Sequence, residues 1–355
     1  MIVYAIIKLV GFGREISVLR YSTFGKSGYK VSSLGFGAMN LPGVPLEQAR
    51  EALNYALDHG INYMDTAAAY RNSEEIIGEC ISHRRSEYFL ATKTGARDYE
   101  TAKAEIERSL VRMKTDHVDL LQIHYVNYVS EYKKAMDAGG AYEAALEAQR
   151  EGKVRFIGIS GHRPDLLAKW ITKGQFSQIL FHLNLAQPFA LEELIPKATE
   201  MGLMKVAMKP LSGGFIQPVD RAIRYPYSQD VHVTISGMVS VKEVQENLAA
   251  QELEVGAEER HELEQLAVEL GQHDCRRCNY CSCPLEISIP DVMIASKFRE
   301  KFGLLPKGDG FFQKQKDRII GCADYEPCIE KPLCEEKCPY HLPMQSVVQK
   351  AASFY

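Results

Sequence analysis

Eight short apolar runs recur along this chain, and each is followed by a longer segment of different periodicity. The runs are "VSSLGFGAM" (31–39), "INYMD" (61–65), "EYFLATK" (87–93), "HVDLLQIH" (117–124), "VRFIGIS" (154–160), "QILFHLN" (178–184), "MKVAMKP" (204–210) and "HVTISGM" (232–238). Between them lie amphipathic segments such as "LEQAREALNYALDHG" (46–60), "ETAKAEIERSLVRMK" (100–114) and "AYEAALEAQREGK" (141–153). Several close on glycine or a basic residue, as helix C-termini do. A strand with one wet face alternates polar and apolar residues; these runs do not, so they are buried on both faces. Buried strands separated by helices predict a parallel sheet covered on its faces. Eight such units predict a closed (β/α)8 barrel. An open, doubly wound sheet is the alternative, but it needs a glycine-rich turn after its first strand, and "GFGAMN" lacks the G-x-G-x-x-G spacing.

The rhythm ends after one more helical segment, "AEERHELEQLAVELG" (257–271), where cysteines, prolines and short polar stretches take over. This divides the chain into an N-terminal extension (1–19), a barrel (20–271) and a cysteine-rich C-terminal domain (272–355). The hydrophobic fraction of 46% leaves ample material for a core, and the net charge of −4 offers no attraction to nucleic acid or anionic lipid. No apolar run of about 18 residues is present, so no membrane span is expected. The start, "MIVYAIIKLVGFGREISVL", has no basic residue ahead of its apolar run, and Lys8 interrupts that run. It reads as an extension rather than a signal peptide. A cytoplasmic location is therefore expected, where clustered thiols point to metal rather than to disulfides.

In a barrel, reactive side chains gather at the C-terminal ends of the strands. Three consecutive runs here end on an ionisable residue: Asp65 in "NYMDTAAAY", Lys93 in "FLATKTG" and His124 in "LLQIHY". Tyr70 follows Asp65 in the same loop. Singly, each has an ordinary reading: a helix cap, a surface lysine, a core histidine, loop packing. Together they converge on one rim and make chemical sense. Tyrosine, with a pKa near 10, is a poor acid at neutral pH. A neighbouring ammonium lowers that value, and a carboxylate balances the ammonium. A histidine opposite can hold a carbonyl oxygen against the phenol, which equips the set to protonate an oxyanion.

The segments "FGKSGYKVSSLGFGAMNLP", "INYMDTAAAY", "FLATKTG", "VDLLQIH", "FIGIS" and "ISGMVSVKEVQENLAA" resemble the aldo-keto reductase family in order and spacing, over residues 20–270. The resemblance implies a (β/α)8 barrel that reduces a carbonyl with NADH or NADPH, or runs the reverse reaction. It places a catalytic tetrad on Asp65, Tyr70, Lys93 and His124, with Tyr70 as proton donor. The cofactor positions it implies are Ser160, Asn184, Met208, Lys209, Leu211, Gly213, Gly237, Ser240, Glu243, Glu246 and Asn247. Several depart from the family pattern: Gly161 follows Ser160 where asparagine is usual, Leu180 stands where glutamine is expected, and Met208 replaces a common aromatic. Glu243 occupies a place where NADP-preferring members often carry arginine. A carboxylate there repels a 2′-phosphate and favours NAD, although Lys242 is adjacent. The segment 125–140, "YVNYVSEYKKAMDAGG", is aromatic and polar, which suits a small polar carbonyl, a sugar or an aromatic ketone.

Eight of the nine cysteines lie in the last quarter. In "CRRCNYCSCP", Cys275, Cys278 and Cys281 have the C-x2-C-x2-C spacing of a cubane-cluster site, and Cys283 precedes a proline. A second group comprises Cys322, Cys328, Cys334 and Cys338, the last again before proline. The two groups resemble a ferredoxin-like dicluster domain, which implies one [4Fe-4S] cluster or two. By that resemblance Cys338 completes the first cluster, and Cys283 serves the second. Lys331 stands where the second group should have its middle cysteine; either Cys322 substitutes for it, which leaves four ligands for a second cluster, or that site is empty. A structural zinc site or plain buried thiols are the alternatives. A hydride carrier gives two electrons and a cubane cluster takes one, so the cluster reads as structural or as a docking point for an electron-transfer partner. The rival to an enzyme is a nicotinamide-binding regulatory subunit that docks through the tail.

Overall fold

A computed structural model describes residues 19–353 apart from 26, 213–215, 217, 252–254, 272–274, 276–280, 282, 303–309, 323, 330–331 and 339–340. All eight apolar runs form strands: β1 Leu34–Gly37, β2 Tyr63–Asp65, β3 Phe89–Thr94, β4 Val118–Ile123, β5 Val154–Ser160, β6 Gln178–His182, β7 Met204–Met208 and β8 Val233–Gly237. Neighbours in sequence pair in parallel, and β8 pairs with β1 to close the barrel. The runs overshoot the strands mostly at their ends, where apolar residues continue into buried loops.

Period-two alternation sorts the side chains. Tyr63, Phe89, Ala91, Leu120, Leu180, Met204, Val206, Val233 and Ile235 point inward and fill the barrel. Burying each of the larger ones stabilises the fold by about 1.5–3 kcal/mol. One step further along their strands come Asp65, Lys93, Gln122, His182 and Met208. That places a polar layer on top of an apolar plug. The outward residues join the helices in a second, larger core.

The other end of the barrel is closed by a feature that the run pattern did not mark. Tyr21–Thr23 pairs antiparallel with Lys30–Ser32, and the ring of Phe24 in the connecting turn lies 4.9 Å from Phe89 and 4.6 Å from Phe156, centroid to centroid. These strands are three residues long and partly exposed, too short to show a period.

The helices follow the amphipathic segments: α1 Leu46–Asp58, α2 Ser73–Ile81, α3 Tyr99–Met113, α4 Val129–Met136, α5 Ala141–Arg150, α6 Pro164–Trp170, α7 Leu194–Glu200, α8 Val219–Tyr227, α9 Val241–Ala249 and α10 Ala257–Gly271. α4 falls within the segment read as a specificity loop. Asp98 caps α3 through the Thr101 N–H, and Lys114 ends it in the left-handed conformation. Beyond α10 the described tail contains α11 Ile289–Phe302, α12 Gly310–Gly321, the short α13 Glu326–Ile329 and α14 Leu333–Glu336, and α15 Met344–Ala352. Ile289, Val292, Met293, Ile319, Met344, Val348 and Ala351 belong to the same continuous core as the barrel's outer layer. Among the described residues no helix is long and apolar enough to cross a membrane. Nearly all of the N-terminal extension lies outside the described residues.

Candidate active site

Asp65 ends β2, Lys93 lies one residue before the end of β3, and His124 follows β4, so parallel register brings all three to one rim. Tyr70 joins them from the loop after β2. That loop is pinned by Ser73, whose hydroxyl donates to Ala38 O and pairs with Thr66 Oγ1, both at 2.9 Å. Lys93 Nζ donates to Asp65 Oδ1 at 2.5 Å and to Thr66 O at 2.6 Å. Its Nζ also lies 4.9 Å from the centroid of the Tyr70 ring, so the ammonium and the phenol act on each other. The second carboxylate oxygen of Asp65 accepts from Gln122 Nε2 at 3.2 Å. The His124 ring meets Tyr70 edge-on at 5.6 Å and 83°. Asp65 and Lys93 are buried, whereas Tyr70 and His124 retain partial exposure at the mouth.

Burial works against the charge on Lys93, but the Asp65 carboxylate and the Tyr70 hydroxyl outweigh it and hold the ammonium above its usual pKa. Tyr70 moves the other way from the sequence expectation. Lys93 does pull its pKa down, yet burial pushes harder, and the phenol sits above its ordinary value. A phenol that keeps its proton at neutral pH is placed to donate it. Burial first, then the charges of Lys93, Arg97 and Lys209, depress His124 to about 3. It is therefore a neutral imidazole, able to donate one hydrogen bond and unable to serve as an acid. Its imidazole resonances are accordingly expected to stay at their neutral-form shifts from pH 8 down to about pH 4.5. A midpoint near 6.5 in a histidine-resolved NMR titration would contradict this. The sign follows for stability as well. The unfolded histidine takes up a proton below about 6.5 while the folded one does not, so its contribution is complete above 6.5. It is lost as pH falls from there toward the folded value.

Arg97 fixes the histidine from behind. Its Nη2 donates to His124 O at 2.8 Å and Tyr125 O at 3.3 Å. Tyr125 adopts a left-handed backbone (φ 53°), and its N–H donates to Ser160 Oγ at 3.1 Å. Ser160 thus supports the turn that carries His124, a use its sequence position did not signal. His182 is buried in the layer of Lys93, beside Met208 in the β6–β7 register, and stacks on His162 at 3.9 Å. Gln122 and His182 were legible only by counting inward positions back from the strand ends; Arg97 had no sequence signal.

The cofactor positions fall into three groups. Ser160, Asn184, Met208 and Lys209 lie at the rim ends of β5, β6 and β7, and Asn184 Nδ2 donates to Lys209 O at 3.0 Å. Lys209 is left-handed (φ 57°), so the chain turns sharply after Met208 into Leu211. Gly213 lies outside the described residues. Gly237 ends β8, and Ser240, Glu243, Glu246 and Asn247 lie on or before α9. Ser240 Oγ accepts from Glu243 N at 3.3 Å, while Glu243 Oε2 accepts from Val239 N at 2.7 Å. Glu243 therefore caps the helix, in addition to any influence its charge has on a ligand. Asn247 donates to Glu243 O at 2.7 Å and keeps a buried Oδ1 with no donor among the described residues.

In the tail, Cys283, Cys322, Cys328 and Cys334 line one cavity with Pro284, Leu285, Ile289 and Val348. Burial and the charge of Cys283 push Cys322 up to about 11 and Cys334 up to about 12, with Cys328 adding to the first. Cys275 and Cys338 are buried, Cys281 is half-buried, and Cys278 lies outside the described residues. No disulfide joins the described cysteines. Among the described residues no three His, Cys, Asp or Glu side chains converge closely enough to hold one metal ion.

Residues 33–221 match the model of the Aldo/keto reductase family. The uncharacterized oxidoreductase YqkF of Bacillus subtilis is 32% identical over 220 residues, covering 58% of this chain and 69% of that protein. L-Galactose dehydrogenase of Arabidopsis thaliana is 30% identical over 211 residues, covering 54% and 65%. Among solved structures, the holo form of aldo-keto reductase AKR11C1 from Bacillus halodurans superposes with a TM-score of 0.63 at 27% identity, covering 70% of this chain and 96% of that one. With a family match over more than half its length, a closed eight-stranded barrel, and Asp, Tyr, Lys and His gathered at one rim, the chain belongs to the aldo/keto reductase family of oxidoreductases.

Proposed function

We propose that this chain reduces a small aldehyde or ketone with NADH or NADPH, or oxidises the corresponding alcohol, with Tyr70 as general acid and base. The observation that carries this reading is Lys93 Nζ, bonded to the Asp65 carboxylate and set beside the Tyr70 ring, which meets His124 edge-on. A bound nicotinamide supplies hydride to the carbonyl carbon. As negative charge grows on the carbonyl oxygen, the Tyr70 hydroxyl gives it a proton, and Lys93 stabilises the phenolate that remains. Asp65 balances the ammonium, and Gln122 holds Asp65. Neutral His124 directs the carbonyl oxygen toward Tyr70 by a hydrogen bond.

The residues suit a dinucleotide. The buried Oδ1 of Asn247 is an acceptor matched to an adenine amino group, and the Ser240 end of α9 carries the positive pole of a helix. Glu243 lies in the first turn of that helix and Lys242 is largely exposed, so NAD is favoured over NADP. A screen of aldehydes, ketones and sugars that follows loss of nicotinamide absorbance is expected to find turnover with the full chain. Absence of binding of both dinucleotides would overturn the reading.

The tail from about residue 272 is read as a domain holding at least one [4Fe-4S] cluster. Cys283, Cys322, Cys328 and Cys334 share a cavity lined by apolar side chains, where thiolates need a nearby cation to be stable. Zinc requires four sulfurs at about 2.3 Å from one point; a cubane core instead presents a separate iron to each thiolate, over a wider span. By the resemblance these four cysteines belong to the second cluster site, and Cys275, Cys278, Cys281 and Cys338 are the candidate ligands of the first. The role is structural or that of a docking point for an electron-transfer protein. Anaerobically purified protein is expected to be brown and to contain about four or more irons per chain. Colourless protein with stoichiometric zinc would remove the cluster and leave the barrel chemistry untouched.

A further inference from the structure

One buried side chain ties the tail to the rim of the barrel. Gln187, in the loop after β6, donates through Nε2 to Cys275 O at 3.1 Å and accepts through Oε1 from Asn184 Nδ2 at 3.4 Å. Asn184 and Gln187 face each other across a two-residue turn: Gln187 N donates to Asn184 O at 2.9 Å and Ala186 N to Asn184 Oδ1 at 3.0 Å. Asn184 in turn holds Lys209 O, the carbonyl of the left-handed residue that turns the chain after Met208. Asn184, Gln187 and Cys275 are all buried. Water therefore cannot readily replace a lost partner, and each bond constrains the next. The connection runs from the first cysteine of the tail, through one amide side chain, to the residues at the ends of β6 and β7.

From this geometry we infer that Gln187 is a positioning residue that couples the tail to the dinucleotide site. Anchoring Cys275 through its amide sets Asn184 and Lys209, so that binding of the dinucleotide and ordering of the tail favour each other. The inference rests on the reading above that Asn184, Met208 and Lys209 are among the positions that contact the dinucleotide. Coupling of this kind is reciprocal: whatever the tail adds to dinucleotide affinity, the dinucleotide adds to the tail.

The test uses the full chain, purified anaerobically, with NADH and NADPH as probes and protein fluorescence and amide hydrogen exchange as readouts. In the wild type, saturating dinucleotide is expected to slow exchange about fivefold or more in peptides covering Cys275 and Cys281–Ile289. Gln187→Glu keeps an acceptor toward Asn184 but removes the donor to Cys275 O. It is expected to weaken dinucleotide binding about three- to tenfold and to abolish the tail response. Gln187→Leu should do the same without adding charge. A merely structural role would lower the melting temperature and leave the tail response in place. Persistence of the slowing in folded variants would overturn the inference. So would wild-type protein that binds dinucleotide with no change in the tail, an outcome independent of whether any variant folds. Failure of the wild type to bind either dinucleotide would instead overturn the functional reading beneath it.

Discussion

Replacement of Tyr70 by phenylalanine is expected to lower turnover about a thousandfold while dinucleotide affinity stays within about twofold. The ring that packs against His124 remains, so the shape of the mouth is preserved. Only the hydroxyl beside Lys93 is removed, and with it the proton that a carbonyl oxygen requires. A positioned general acid contributes roughly 10²–10⁴ in rate, and His124, neutral with its pKa depressed to about 3, is no acid to take its place. The loss should appear in kcat with little change in KM, because the phenol matters most after charge has begun to develop. Wild-type turnover by this variant on a substrate found in the screen would remove Tyr70 from the mechanism.

The second large effect is on stability. Lys93 and Asp65 are both buried, at 1% and 5% exposure, and hold each other at 2.5 Å. Lys93→Met leaves a carboxylate in the barrel's upper layer without its counter-charge. Breaking a buried pair from one side costs about 3–5 kcal/mol, which corresponds to a melting temperature lower by about 10 °C. The double variant Asp65→Asn, Lys93→Met should regain most of that loss and remain inactive. The pH dependence separates this account from simple loss of packing. In Lys93→Met the lone carboxyl has a folded pKa raised above its unfolded value, so the penalty is full at neutral pH and fades as pH falls through the folded pKa. The gap between variant and wild type in thermal denaturation should therefore narrow toward pH 4. A gap independent of pH would mean that the lysine stem, not its charge, is what the fold requires.

The barrel was legible because strands such as Phe89–Thr94 and Gln178–His182 are buried on both faces, so that their runs show no strict polar alternation. The rim residues were legible because strand ends in such a fold are where ionisable groups converge. Other contributions were hidden for specific reasons. Gln122 sits inside the run "HVDLLQIH", where a polar residue looks incidental until its inward register beside Lys93 is known. The direction of the Tyr70 shift depended on how much burial competes with one ammonium, a balance that residue types do not disclose. Glu243 was read only for its charge, although a Ser-x-x-Glu spacing could have announced the helix cap it makes with Ser240 and Val239. Cys283, Cys322, Cys328 and Cys334, which the resemblance assigns to one site, line one cavity. The grouping of the remaining tail cysteines turns in part on Cys278, which lies outside the described residues.

The short hairpin under the barrel separates two notions of a domain. The span matched to the family model starts at residue 33, after the hairpin, and stops at 221, before β8. A fragment cut at those limits would lack Phe24 beneath Phe89 and Phe156, and would leave β1 and β7 as open edges where β8 now pairs with both. Open edges recruit other chains. The segment by which kinship is detected is therefore shorter than the closed barrel, and expression boundaries drawn from the match would yield an open, aggregation-prone shell missing its eighth strand.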